Sequence, residues 1–272
     1  MVPVSVVIIT KNEEENIAAC IASAAGLSGD IIVVDSGSTD NTVPIAVAAG
    51  ARVIEIDWIC YGHSRNTGAE AARHDWIIAM DADERLTPAL RDRILHLQLH
   101  ENNVYRFRRQ NHYLGSRIRF GTPGHDKPVR LYHRLHGKWN MNLVHEKLVT
   151  SSTSKILNEP MLHFSIRDVE QYREKTARYA ELTAHDYFMK GRSNSLWKRL
   201  LSPVFNAAKS YIFELGFLDG YKGFAVAAII ARYSWLKYVY LHRCIVEAES
   251  EQAGRIVFTS PAPQQVLQSS AK

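Results

Sequence analysis

Four absences bound this sequence before any motif is read. It has only three cysteines, Cys20, Cys60 and Cys244, odd in number and far apart. They make neither a disulfide framework nor a zinc spacing, so a reducing compartment, most simply the cytosol, is expected. No apolar run reaches the roughly 18 residues of a membrane span. The N-terminal "MVPVSVVIITKNEEEN" has no basic segment ahead of its short apolar run, so it reads as a first strand and not as a signal peptide. Nor does a glycine-rich loop follow that strand, since "TKNEEEN" has no glycine. That counts against an enzyme that activates sugar phosphates by cradling a nucleotide in such a loop.

What is present suits a globular enzyme. With 272 residues and 46% hydrophobic content, the chain can bury a sizeable core as one large α/β domain with an appendage. Its net charge of +5 is unevenly placed. From Tyr105 to Lys138 nine Lys and Arg face the single acid Asp126, and from Lys190 to Arg243 nine more face Glu214 and Asp219. Basic surface of this kind attracts phosphate-bearing partners: nucleotides, nucleic acid or anionic lipid. A solvated basic face is the plainer alternative.

The first hundred residues alternate strand and helix signals. "VSVVII" (4–9), "DIIVVD" (30–35), "ARVIEI" (51–56) and the apolar run at 76–80 read as strands, with helical patterns between them. "TPALRDRILHLQL" opens with Thr87 as N-cap and Pro88 at the first helical position, and sets Leu90, Ile94 and Leu97 on one face. Such alternation implies an α/β fold with a mostly parallel central sheet and helices on both faces. Ligands of such sheets bind beyond the carboxyl ends of the strands. There the sequence sets Thr10, Lys11 and Asn12, then Asp35, Ser36 and Gly37, then the acids of "WIIAMDADERL" (76–86). Asp81, Asp83 and Glu84 directly follow a buried-type strand, and buried charge is costly unless compensated. A positive group is expected to meet them, and that group is expected to be a metal, since an Asp-x-Asp pair beside a diphosphate suits a hard divalent cation.

These residues carry a family resemblance. "SVVIITKNEEENI", "IIVVDSGSTDNT", "RNTGAEAARHDWIIAMDADERL" and "VHEKL" resemble the successive motifs of glycosyltransferase family 2, inverting enzymes with the nucleotide-sugar-binding GT-A fold. "RLYHR", "HFSIRDVEQYREKTARYAEL" and "GFLDGYKGFAVAA" further resemble its lipopolysaccharide inner-core β-1,4-glucosyltransferase branch. The resemblance implies transfer of a hexose, glucose first among them, from a UDP-sugar to a lipid-linked saccharide, with Mg2+ or Mn2+ as cofactor. It implies that Thr10, Asn12, Glu13 and Asp35 line the uridine pocket, with Arg65 near the diphosphate, Asp81 toward the ribose or sugar, and Asp83 on the metal. Glu146 matches the catalytic carboxylate, the base that takes the acceptor proton. His163 is a candidate metal or diphosphate ligand, with a core histidine as the alternative. Asp35 could instead cap the following helix, and Glu146 could pair with a nearby arginine.

The arginines from Arg106 to Arg134, Arg130 among them, form with Asp126 a candidate cradle for a phosphorylated acceptor. The expected organisation is a catalytic domain over 1–165, divided into a nucleotide-sugar half (about 1–100) and an acceptor half (about 101–165). A helical membrane-associating region over 166–250 and a disordered tail over 251–272 follow. From Leu196 to Arg243 aromatic and aliphatic residues alternate with Lys and Arg at helical intervals, which suits an interfacial segment on an anionic membrane surface. A helical pair packed on the domain, or a homodimer interface, is the alternative. The enzyme is therefore expected in the cytoplasm, peripheral on the inner face of the cytoplasmic membrane, with no nucleic-acid partner. A non-catalytic saccharide- or nucleic-acid-binding module would explain the basic patches and aromatics, but would not require Asp81, Asp83 and Glu146 together.

Overall fold

The computed structural model describes residues 3–113, 115–166 and 169–259. The chain begins β1 (Val4–Thr10), α1 (Ile17–Ser23), β2 (Ile31–Asp35), α2 (Thr42–Ala48), β3 (Arg52–Glu55), α3 (Tyr61–Glu70) and β4 (Trp76–Asp81). These strands lie parallel in the order β3-β2-β1-β4. All seven residues of β1 are buried because both faces of the sheet are covered. Val4, Val6 and Ile8 join a core with Ile17 and Ile21 of α1, whereas Val7 and Ile9 join Ala69 of α3 and Val34 of β2 on the other face.

The second half is mixed. It comprises β5 (Glu84–Leu86), α4 (Pro88–Leu95), β6 (Asn103–Tyr113), β7 (Ser116–Arg117), β8 (Val129–His133), β9 (Gly137–Trp139), β10 (Leu148–Thr150) and β11 (Thr153–Ile166). The nine-stranded sheet continues past β4 through β8, β6 and β11 to β5, with β7 on β6, while β9 and β10 form a separate hairpin. α4 starts as its sequence signals suggest, Thr87 Oγ1 accepting from Leu90 N at 3.2 Å with Pro88 in the first turn.

One connection dictates the shape of the site. β5 follows β4 after only Ala82 and Asp83, yet it pairs at the far edge of the sheet, with β8, β6 and β11 in between. Four flat strand spacings would separate β4 from β5 by ~19 Å, whereas three chain steps reach ~11 Å. The sheet must therefore curl, and the curl brings β11 to the carboxyl end of β4.

Three helices follow: α5 (Val169–Met189), α6 (Leu196–Ala208) and α7 (Tyr221–Thr259), with α5 and α6 both packed on α7. Among the described residues no helix is long and apolar enough to cross a membrane. α7 runs through 251–259, a stretch the sequence reading assigns to a disordered tail; the helical pattern of the preceding turns continues there. The remainder of that expected tail, 260–272, lies outside the described residues.

Candidate active site

The site begins with how closely α3 lies on the sheet. A Cβ added to Gly68 would stand 2.3 Å from Val7 Cγ1, so only glycine lets the helix approach β1 this far. One turn earlier on α3, Arg65 is 2% exposed. Its Nη2 donates to Asp81 Oδ1 at 2.6 Å and its Nε to Glu146 Oε1 at 3.3 Å, while the guanidinium lies 4.9 Å from the Trp139 ring centroid. Asn66, next on the helix, exchanges two hydrogen bonds with the Trp139 backbone, at 2.9 and 3.0 Å. The loop carrying Glu146 is closed by Asn140 N to Lys147 O at 3.0 Å and Lys147 N to Asn140 Oδ1 at 3.1 Å. α3 thus anchors both a cation and the loop whose carboxylate it meets.

The positive charge at the end of β4, expected from the sequence to be a metal ion, is for Asp81 supplied instead by arginines that the curled sheet brings to it. Arg130 Nη2 lies 2.6 Å from Asp81 Oδ2 and 2.7 Å from Glu84 Oε1, and Arg109 Nη2 lies 2.8 Å from Glu84 Oε1. Glu84 is fully buried and its Oε2 also accepts from Asp81 N at 3.0 Å. Burial alone raises the Asp81 carboxyl; Arg130, Arg65 and Arg109 outweigh it and hold the group far below the usual carboxylate range. Arg109 Nη1 reaches Asp126 at 3.1 Å, at the open side of the cluster. Arg130, assigned to the acceptor cradle on sequence, is only 3% exposed and points into this cluster, because β8 runs antiparallel beside β4.

Asp83 has different neighbours. Its Oδ1 lies 3.4 Å from His163 Nε2 and its Oδ2 3.3 Å from Lys175 Nζ of α5. His163 stands in register with Glu84 on one side and Asn111 on the other. Asn111 Nδ2 donates to Pro123 O at 2.6 Å, which turns its Oδ1 to accept from His163 Nδ1 at 2.5 Å. With Nδ1 directed at Asn111, the ring turns its Nε2 toward Asp83. Asp83 Oδ1 is buried and has no hydrogen-bond partner among the described residues. Burial raises the Asp83 pKa, but His163 and Lys175 reverse the sign and keep the carboxyl well below its ordinary value. Asp83 in turn holds the Lys175 ammonium above its usual range. One turn further along α5, Tyr179 stacks on Tyr61 of α3 with centroids 5.7 Å apart, so the helix roofs the site.

The remaining candidates line the wall formed by the ends of β1 and β2. Thr10 Oγ1 is buried without a hydrogen-bond partner among the described residues. Asn12, at φ 53°, accepts from Thr39 N at 2.8 Å through its side chain, and the Glu13 backbone N donates to Thr42 Oγ1 at 2.8 Å. Asp35 does not cap α2. Its carboxylate accepts from Gly37 N, Ser38 N and Ser38 Oγ at 3.0, 2.8 and 2.5 Å, and holds the turn after β2 in place. Sequence reasoning missed Glu84, Asn111 and Lys175 as site residues and placed Arg109 only among the arginines of the acceptor cradle. Glu84 was visible as the third acid after β4, and Lys175 lay within a family-like stretch without being singled out, but Asn111 carried no local signal.

A curled α/β sheet with acids, a histidine and a carboxylate-bearing loop gathered beyond the ends of its parallel strands is the GT-A architecture of glycosyltransferases. Residues 5–150 match the profile of Glycosyl transferase family 2, and the chain belongs to that family. It is 29% identical over 271 residues to an uncharacterized glycosyltransferase of Rickettsia felis, covering 92% of this chain and 93% of the relative. It is 27% identical over 243 residues to the lipopolysaccharide core biosynthesis glycosyltransferase LpsC of Rhizobium meliloti, covering 86% and 90%. Among solved structures, a mannosyltransferase of Pyrobaculum calidifontis in complex with GDP-Man and Mn2+ shares the fold with a TM-score of 0.52 at 14% identity, covering 88% of this chain and 86% of that one.

Proposed function

We propose that this glycosyltransferase moves a hexose, glucose first among the candidates, from a UDP-sugar to a lipid-linked saccharide of the lipopolysaccharide inner-core type, with inversion and with a divalent cation, Mg2+ or Mn2+. The observation that carries the reading is the buried Asp83 Oδ1, which has no hydrogen-bond partner among the described residues and lies 3.4 Å from His163 Nε2. A carboxylate oxygen and an imidazole nitrogen fixed by its own partner are a donor pair suited to such an ion. Among the described residues no third His, Cys, Asp or Glu completes a metal site, which fits an ion that takes its other ligands from substrate oxygens. When bound, the ion would neutralise charge growing on the departing diphosphate.

The protein's own groups do the rest. Asp81, ionised and held by Arg65 and Arg130, offers acceptor oxygens to sugar or ribose hydroxyls. Thr10 Oγ1 has no hydrogen-bond partner among the described residues and can bond a nucleoside edge. Asn12 and Asp35 brace the surrounding loops. Glu146 takes the proton from the acceptor hydroxyl as that oxygen attacks the anomeric carbon from the face opposite the leaving group. Arg65, 3.3 Å from Glu146, holds that carboxylate in position. Lys175 adds a cation beside Asp83, where the leaving diphosphate gathers charge. The saccharide acceptor is supported by the alignment with the lipopolysaccharide core enzyme over 86% of this chain. Three free cysteines agree with a cytoplasmic setting.

The test is UDP release across UDP-glucose, UDP-galactose and UDP-N-acetylglucosamine, with Mn2+ and a heptose-containing acceptor. Glu146→Gln should keep UDP binding and lose roughly two to four orders of magnitude in turnover. Loss of UDP binding with little change in turnover would move the base elsewhere, Asp126 being next in line.

A further inference from the structure

The described helices leave one large apolar face uncovered. On α6, Trp197, Leu201, Val204 and Phe205 are 72%, 58%, 66% and 64% exposed, at the spacing of a single helical face. The turn beyond continues it with Phe213 at 76% and Tyr221 at 83%. The opposite side of α6 meets α7, where Asn206 Nδ2 donates to Ser234 Oγ at 2.9 Å, so the apolar face looks outward. Soluble monomers seldom expose so many contiguous large apolar side chains without a partner.

Charge decides which partner fits. Lys198, Lys209 and Lys222 stand exposed around this face. The only acids between Lys190 and Phe224, Glu214 and Asp219, are engaged by the protein itself, Glu214 Oε1 also lying 3.7 Å from Lys209 Nζ. Asp219 Oδ2 accepts from Arg119 N and Phe120 N, both at 2.9 Å, and Glu214 Oε2 accepts from Thr122 Oγ1 at 2.6 Å. A twofold copy would set the same lysines against each other, whereas an anionic lipid leaflet complements both the charge and the apolar side chains.

We infer that this protein docks on an anionic bilayer through the outward face of α6 and the turn up to Phe224, and not through the whole helical region. α7 is excluded from the docking face over much of its length because it lies between α5 and α6, with Leu241 fully buried and Leu236 9% exposed. The docking turn is also joined to the active site. The residues that bind Glu214 and Asp219 lead directly into Pro123, whose carbonyl orients Asn111 and through it His163. A leaflet gripped at the turn therefore meets the strand-end site at a set height and tilt, as a lipid-borne acceptor requires.

The experiment is co-sedimentation of the full chain with vesicles of phosphatidylglycerol and phosphatidylethanolamine, and with phosphatidylcholine alone, at low and high salt. Sedimentation is expected with the anionic vesicles only and should weaken with salt, since exposed charges are screened over ~8–10 Å. The Trp197→Ser, Phe205→Ser double variant should melt like the wild type but partition on the order of tenfold to a hundredfold less. Recovery of the full chain in the supernatant with anionic vesicles at low salt overturns the inference, as does equal sedimentation of the double variant. So does a wild-type dimer in the ultracentrifuge that the double variant converts to monomer. UDP release with a soluble acceptor should be unchanged in the double variant, which separates docking from the transferase reading.

Discussion

Replacing Arg130 by Met removes one guanidinium and leaves two carboxylates to be compensated by others. In the wild type Arg130 Nη2 bridges Asp81 at 2.6 Å and Glu84 at 2.7 Å, with Arg130 3% and Glu84 0% exposed. Breaking a buried pair by deleting one partner costs about 3–5 kcal/mol. Arg109 still reaches Glu84 at 2.8 Å and Arg65 still reaches Asp81 at 2.6 Å, so the cost falls at or below the bottom of that range, about 2–3 kcal/mol. At roughly 2–4 °C per kcal/mol for a chain of this size, Tm should fall by about 4–12 °C. The loss should depend on pH in a definite direction. The folded-state pKa of Asp81 is depressed, so its contribution is present above the unfolded value of about 3.9 and disappears as pH falls below it toward the folded value. The gap in Tm between wild type and variant should therefore be full near neutrality and close in acid. Calorimetric melting across that range checks it. A variant with unchanged Tm but a raised KM for the acceptor would refute the reasoning and return Arg130 to the acceptor surface.

Three more expectations follow from the same contacts. Asp83→Asn should abolish metal-dependent UDP binding, measured by titration calorimetry, while leaving the fold intact; full metal-dependent activity in this variant would remove the ion from the mechanism. Lys175→Met takes away the ammonium 3.3 Å from Asp83 and should raise Mn2+ affinity several-fold in the absence of nucleotide, since two positive charges no longer compete for one carboxylate; unchanged affinity would mean that Lys175 does not contest the site. Gly68→Ala puts a methyl 2.3 Å from Val7 Cγ1, and such overpacking should cost about 1–3 kcal/mol. The accompanying shift of α3 should lower turnover through Arg65, and a variant that melts and turns over like the wild type would sink that link.

Much of the parallel half of the fold was legible in the sequence, because its causes are local. The unbroken apolar run of β1 announces a strand covered on both faces, and Thr87 with Pro88 marks the start of α4 by chemistry confined to one turn. Asp81, Asp83, Glu146 and His163 could be singled out by motif and by their place after apolar runs. What surrounds them was not legible, because those contacts join residues far apart in the chain. Arg65 and Asp81 are 16 positions apart, Arg130 and Asp81 49, Arg65 and Glu146 81, and Lys175 and Asp83 92. The order of strands, and the curl forced by the two-residue link between β4 and β5, bring these side chains together. Period and propensity carry no information about that curl. Hence the sequence could say that positive charge must meet the acids after β4. Only the tertiary structure decided that Asp81 meets arginines, while Asp83 keeps an open oxygen beside a histidine. The same division holds at the C-terminal end. The alternation of apolar and basic residues was visible throughout Leu196 to Arg243, but which of its helical faces is covered depended on α7 lying between α5 and α6, a matter of packing between helices and not of the pattern within any one of them.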